Sequence, residues 1–307
     1  MTDLAIVIVN YNTAPLLRRC LTSIRRQEGD YRIETCVVDN ASRDDSVAMV
    51  RTEFPEVHLI ANAENAGFSR ANNLGLRHFG FGQTPPPAGL PRYALLLNPD
   101  TELPPTALAT MLAFMDATPD AGAAGPRLLL PDGSLDLACR RSFPSPEVSF
   151  YRMVGLSRLF PTHPRFGRYN LTYLNPDELA EVDSVVGAFM LVRAEAIQQA
   201  GLMDETYFMY GEDLDWAYSI KQHGWKIYYN PAATVLHVKR ASSRRSAKAQ
   251  VEFYRAMQIF YRKHYAATTP WWLHLLVTSG IQLKWSLARL AVGWRRLRGQ
   301  MKGEAVL

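Results

Sequence analysis

The 307-residue chain has only three cysteines, Cys20, Cys36 and Cys139. They are too few and too scattered for a disulfide framework or a zinc cluster, so a reducing, cytoplasmic setting fits. Long hydrophobic runs are also missing. Leu4 to Val9 is far too short for a signal-peptide core, and no basic segment precedes it, so the stretch reads as a strand. The uncharged part of the C-terminal segment, Trp271 to Leu283, holds 13 residues, against the ~20 that a bilayer span needs. Lys284 and Arg289 follow, and each would cost roughly 2.5–3.5 kcal/mol near a membrane centre. This segment does not read as a transmembrane helix. Acids are scarce in one region: Lys239 to Lys302 carries fourteen Lys/Arg and one acid, Glu252, a local balance of +13. The whole chain is only +5, so the remainder carries −8. An acidic body with a basic tail points to an anionic surface, either nucleic acid or lipid headgroups.

What is present is ordinary globular material, 48% hydrophobic and 21% charged, enough for one large domain or two small ones. The first 125 residues alternate. Ala5–Val9, Ile33–Val38, Val57–Ile60 and Tyr93–Leu97 are short apolar runs. Pro15–Arg26, Asp44–Phe54 and Asn65–Phe79 have helical spacing. This βαβ rhythm predicts an α/β fold with a doubly wound, mainly parallel sheet. A Pro-rich loop at 84–91 interrupts it. After Asp132-Gly133, a turn signal, 142–177 reads as a long, partly helical excursion. Val182–Arg193 predicts one buried strand, Ala194–Ala200 a short helix, and Gly211 to His223 another. Trp225–Tyr229 and Thr234–His237 predict two further strands. Beyond Lys248 the chain predicts a helical extension. Its apolar stripe runs through Leu273, Leu276, Gly280, Leu283, Leu287, Leu290, Trp294 and Leu297, with Lys284, Arg289, Arg295 and Arg296 largely outside. A monotopic helix on an anionic membrane fits; the other reading packs it on the catalytic domain or on a second copy in a homo-oligomer. Four Trp residues favour lipid or protein over nucleic acid.

Several short runs carry chemistry. Leu95-Leu96-Leu97 stops at Asn98-Pro99-Asp100, because Pro99 cannot donate to a ladder. Asp100 then sits past the carboxyl end of a central strand, where ligands bind in open α/β sheets. It is either a metal-holding carboxylate or part of an ordinary turn. Glu212, Asp213 and Asp215 open a helix, where its dipole favours acids. They are either a cap cluster or a site in which an aspartate accepts a proton. His237 ends a strand; it is either a structural histidine or, paired with Asp100, a second metal ligand. Asp39, after Val37-Val38, accepts either from a pyrimidine N–H or from its own turn. Asn65 to Asn73 opens a helix with small residues suited to a phosphate, with Arg70 adding charge.

In this order the runs IVIVNYNTAPLLRRCLTSI, VVDNAS, NAGFSRANNLGL, YALLLNPDT and VVGAFMLVRAEAIQQAGLMDETYFMYGEDLDW, with the later His237, resemble the inverting family 2 glycosyltransferases of GT-A fold, most nearly rhamnosyltransferase-type and galactofuranosyltransferase-type members. The resemblance implies that Asp39 binds the base, with Asn10 and Tyr11 lining that pocket. Arg70, Asn72 and Asn98 contact the nucleotide or its diphosphate. Asp100 and His237 hold Mg²⁺ or Mn²⁺, Asp213 is the general base, Glu212 its neighbour, and Asp215 supports the helix start. It further implies a nucleoside diphosphate sugar donor (dTDP-rhamnose first, UDP-galactofuranose second) and a hydroxyl of a cell-surface or lipid-linked glycan as acceptor. The chain then divides into 1–125 for the donor, 126–240 for acceptor and catalysis, and 241–307 as a basic amphipathic extension, peripheral on the inner face of the membrane. Asn98 replaces an acid of the usual Asp-x-Asp and weakens the metal site. Where relatives often carry an arginine after the acids stands Ser219. If that arginine holds the acid pair, another group must do so here. A Gly-rich phosphate loop after the first strand, which a nucleotidyltransferase needs, is absent, as is the Gln-x-x-Arg-Trp run of processive synthases. A non-catalytic nucleotide-sugar binder is the remaining alternative, and the intact Glu212-Asp213 pair argues against it.

Overall fold

The computed structural model describes residues 2–239 and 247–304, with side chains described to 291. The strands are β1 (Leu4–Asn10), β2 (Ile33–Asp39), β3 (His58–Ala61), β4 (Tyr93–Leu97), β5 (Thr101–Glu102), β6 (Ala121–Leu129), β7 (Ala180–Val182), β8 (Phe189–Arg193) and β9 (Lys226–His237). Helices α1 (Ala14–Arg25), α2 (Ser46–Glu53) and α3 (Phe68–His78) connect the first four strands. Then come α4 (Ala107–Ala117), α5 (Pro146–Met153), α6 (Leu156–Leu159), α7 (Ala194–Ala200), α8 (Glu212–Gln222), α9 (Ala247–His264) and α10 (Trp271–Glu304). One sheet runs β3-β2-β1-β4-β8-β6-β9-β5, with β7 also on β9. Six of the nine strands point the same way; β5, β7 and β8 oppose them. The expected α/β, mainly parallel sheet with a C-terminal helical extension is present. β1 and β4 are buried along their whole length, which is why they read as unbroken apolar runs.

Three elements differ from the sequence expectation. Val182–Arg193 is not one strand: β7 joins β9, β8 lies between β4 and β6, and residues 183–188 cross between them. The predicted pair 225–229 and 234–237 is a single strand, β9, with a register shift opposite Pro126/Arg127. Pro231 has no N–H to donate, and Asn230 Oδ1 accepts from Ala232 instead. β6, which was not predicted, is made largely of Ala and Gly, poor strand formers. Tertiary crowding demands them: a Cβ at Gly122 would lie 2.5 Å from Trp225, and one at Gly125 2.8 Å from Val185. β6 also crosses position 125, so both halves of the chain share one sheet and one core. The boundary at 240/241 lies outside the described residues, as do the side chains of Trp294, Arg295, Arg296 and Leu297.

Candidate active site

β1 and β2 are paired so that Asn10 lies opposite Asp39 at their carboxyl ends. Asn10, fully buried, donates from Nδ2 to Asp39 Oδ2 (2.8 Å) and Ser42 Oγ (3.1 Å), and accepts from Thr13 (2.6 Å). Asp39 Oδ1 accepts the Ser42 N–H at 2.8 Å. The turn reading of Asp39 is thus realised, yet a carboxylate offers about four acceptor positions, so room for a ligand N–H remains. Tyr11 beside it is 49% exposed, leaving its ring face open. Asn12 and Ala41 sit at φ 53° and 64°, strain of the kind that clusters at functional sites. Asn40 ties this corner to α3, donating to Gly67 O (3.1 Å) and accepting from Ala66 N (3.3 Å). Gly67 has φ 86°, and a Cβ there would lie 2.7 Å from the Phe208 ring, so only glycine allows this approach. Arg70 is exposed on α3; Asn72 is buried and donates to Phe68 O, a role in the helix's own first turn.

The run after β4 turns as its composition predicts, the Asn98 carbonyl accepting from Thr101 N (3.3 Å) and Oγ1 (2.7 Å). The chain then enters β5, whose Thr101 pairs with His237 of β9. That pairing sets Asp100 Oδ1 3.4 Å from His237 Nε2. On the other side of the ring, His237 Nδ1 lies 2.8 Å from Asp136 Oδ2, and Lys239 Nζ reaches both Asp136 oxygens at 2.7 Å. Burial opposes the charge on Asp136, but His237 and Lys239 outweigh it and hold the carboxyl well below its ordinary range. An ionised carboxylate only accepts, so Nδ1 carries a proton and Nε2 is the atom presented to Asp100. Burial likewise works against a charged His237, and Asp100 and Asp136 overcome it and raise its pKa. One oxygen and one imidazole nitrogen suit Mg²⁺ or Mn²⁺, leaving the other octahedral positions to phosphate oxygens and water. Among the described residues, no group of three His, Cys, Asp or Glu forms a complete protein cage.

α8 starts after Gly211 (φ 79°) with Glu212 and Asp213, both buried. Asp213 Oδ2 accepts from Arg141 (2.7 Å) and from the Gly187 N–H (3.0 Å). Arg141 also donates to Val185 O at 2.7 Å, and its backbone exchanges hydrogen bonds with Ser184. Asn98 N–H donates to Ala188 O at 3.0 Å. Gly187-Ala188, in the crossing between β7 and β8, therefore joins the acid pair to the strand end that carries Asp100. Glu212 Oε2 has no hydrogen-bond partner among the described residues. Burial first, and the neighbouring Asp213 charge second, push Glu212 up to about 8. The fold holds this proton between the ordinary carboxyl range and about pH 8, whereas the unfolded chain releases it, so Glu212 makes stability fall as pH rises through that window. Glu212→Gln is expected to flatten that decline and to melt higher than the unaltered chain above pH 8. Thermal melts of both proteins at intervals from pH 5 to 9 check it, and a difference constant with pH overturns it.

Arg141 and Asp136 are the site residues that sequence reasoning missed; the paired Arg140-Arg141 after a turn was the only signal. Asp215 differs from its expected role. It is buried and receives Tyr207 Oη (3.3 Å), Lys263 (2.8 Å) and His264 (2.7 Å), which fasten α8 to α9. It is a strut between helices rather than a support for the helix start.

The Glycosyl transferase family 2 profile matches residues 5–198. N-acetylglucosaminyl-diphospho-decaprenol L-rhamnosyltransferase of Mycobacterium tuberculosis is 30% identical over 277 residues, 89% of this chain and 87% of that protein. The low-salt glycan biosynthesis hexosyltransferase Agl10 of Haloferax volcanii is 26% identical over 77% of this chain and 67% of its own. Among solved structures, the Pyrobaculum calidifontis mannosyltransferase PcManGT, in complex with GDP-Man and Mn²⁺, superposes with a TM-score of 0.56 at 17% identity, over 99% of this chain and 81% of its own. GalNAc-T7 with UDP, GalNAc and Mn²⁺ gives 0.58 at 16% identity over 88% of this chain, which spans 52% of that longer one. At such identities the structural likeness speaks for the fold alone. The profile match and the relative similar over nearly its whole length go further: this chain belongs to glycosyl transferase family 2, and it is a glycosyltransferase of GT-A fold.

Proposed function

We propose that the chain transfers one sugar, rhamnose from dTDP-rhamnose, with inversion, to a hydroxyl of a lipid-linked glycan at the inner face of the cell membrane. One observation carries this reading: Gly187-Ala188 connects the Glu212-Asp213 pair to the Asn98–Asp100 turn, and this link supports a proton acceptor working beside a metal held at that strand end. The rhamnosyltransferase relative supports the choice of sugar and of a lipid-linked acceptor. Residues 1–125 take the donor, 126–240 the acceptor, and 241–307 the membrane. Asp39 accepts the base N–H, Asn10 fixes Asp39, and Tyr11 covers the base. Arg70, Asn72 and Asn98 border the diphosphate, Asn72 by shaping the first turn of α3. Asp100 and His237 would hold Mg²⁺ or Mn²⁺, which supplies positive charge against the departing diphosphate. The acceptor oxygen attacks the anomeric carbon from the face opposite the diphosphate, its proton passes to Asp213, and the sugar–phosphate C–O bond breaks. A single displacement inverts the anomeric centre.

A melting-temperature series with UDP, dTDP and GDP, each with and without Mn²⁺, tests the donor. A ligand binding only the folded state adds about 2.7 kcal/mol at a hundredfold excess over Kd. A Mn²⁺-dependent rise with dTDP alone is expected. A rise with UDP alone moves the donor to a UDP-sugar of the galactofuranosyl type. No rise with any nucleotide overturns the donor site assigned to Asn10, Asp39 and Asp100.

A further inference from the structure

The C-terminal helices leave one surface uncovered. α10 packs along α9 through Ile281 and Ala288, both buried, and His274 Nδ1 lies 3.0 Å from Tyr261 Oη. Of the predicted apolar stripe, Leu273 and Gly280 are half-buried, while Leu276, Leu283, Leu287 and Leu290 stay outside this contact. At about 100° per residue, Trp272, Leu276, Leu283, Leu287 and Leu290 line the opposite face, and each is 55–63% exposed. Lys284 lies about 60° from the edge of the stripe, while Arg289 sits about 100° beyond its other edge with its guanidinium 4.7 Å over the Trp285 ring. No acid occurs between Glu252 and Glu304. Among the described residues, no helix is long and apolar enough to cross a membrane.

We propose that this face of α10 is a docking surface for an anionic lipid bilayer, with the helix lying flat among the headgroups. The proposal rests on the membrane-facing reading above and names the surface responsible. An exposed apolar stripe on an acid-free, basic helix matches that environment: leucines and Trp272 enter the acyl boundary while Lys284 at its edge reaches phosphates, and Arg289 adds to the positive field. A second copy is the poorer occupant, because two such faces would bring two strongly basic tails together. The bilayer contact reaches the catalytic acids through a short rigid route. α10 packs on α9, and Lys263 and His264 of α9 hold Asp215, two residues from Asp213 on α8. Docking α10 thus fixes the height and tilt of the acceptor pocket above the lipid.

Flotation of the whole protein with phosphatidylcholine vesicles, with and without phosphatidylglycerol, tests the surface. The protein is expected to float with the anionic vesicles and to lose them as salt rises. Leu283→Ser with Leu287→Ser should weaken partitioning about tenfold at an unchanged melting temperature, and Lys284→Glu with Arg289→Glu should abolish the preference for phosphatidylglycerol. Absent flotation, or variants that float like the parent, overturns the proposal. So does a parent dimer in light scattering that the leucine variant dissociates, since a second copy then covers the face. Nucleotide-induced melting shifts on the same samples separate the two readings. Shifts without flotation remove the docking surface alone; flotation without shifts removes the catalytic reading alone.

Discussion

Asp213→Asn is expected to lower kcat by about 10²–10⁴-fold, the usual contribution of a positioned general base, while dTDP affinity stays nearly unchanged. The amide keeps the shape of the carboxylate and an oxygen for the Gly187 N–H, but it takes no proton from an acceptor hydroxyl. Donor binding is spared because the base corner at Asn10 and Asp39 is built from other strands. Steady-state transfer rates alongside nucleotide melting shifts check both halves. Turnover near that of the parent would sink the assignment of Asp213.

Arg141→Met is expected to cost about 3–5 kcal/mol of stability, the penalty for stranding one charge of a buried pair. The guanidinium and the Asp213 carboxylate are each 8% exposed and meet at 2.7 Å. Burial opposes the charge on Arg141, yet Asp213 outweighs it and holds the guanidinium firmly protonated. Removing the cation leaves a buried carboxylate held, among the described residues, only by the Gly187 and Leu214 N–H groups, beside the Glu212 carboxyl. Removing both charges, in Arg141→Met with Asp213→Asn, should restore most of the loss, because replacing an intact buried pair by neutral groups is often close to neutral. Urea unfolding of the four proteins in the double-mutant cycle gives the coupling. Additive effects would show that Arg141 acts through Val185 and Ser184 rather than through Asp213. The acid-bearing helix carries Ser219 where a cation was expected, and the cation that holds Asp213 is Arg141, 72 positions upstream.

The sequence by itself determined the layered α/β plan, the strand ends at Asn10, Asp39 and Leu97, and the acid-rich start of α8. These are local matters: apolar period, a proline that cannot pair, a glycine before a helix, acids at a dipole. Short-range patterning also placed Asp100 and His237 as chemistry-bearing residues, because each ends an apolar run. Tertiary structure alone decided which of them meet. Asp100 reaches His237 only because β5 folds back on β9, and Asp136, itself held by Lys239, closes on the other side of the ring from a further segment. β6 was invisible because its Ala and Gly are selected by crowding against Trp225 and Val185, which no local propensity records. The break at 183–188 was hidden inside an apolar run for a similar reason, since its backbone is spent on Arg141 and Asp213 instead of a ladder. The leucines of the stripe on α10 (Leu276, Leu283, Leu287 and Leu290) were legible in the sequence, but their facing was not. Periodicity gives the side of a helix that is apolar, and only the packing of Ile281 and Ala288 on α9 shows that this side was left outward.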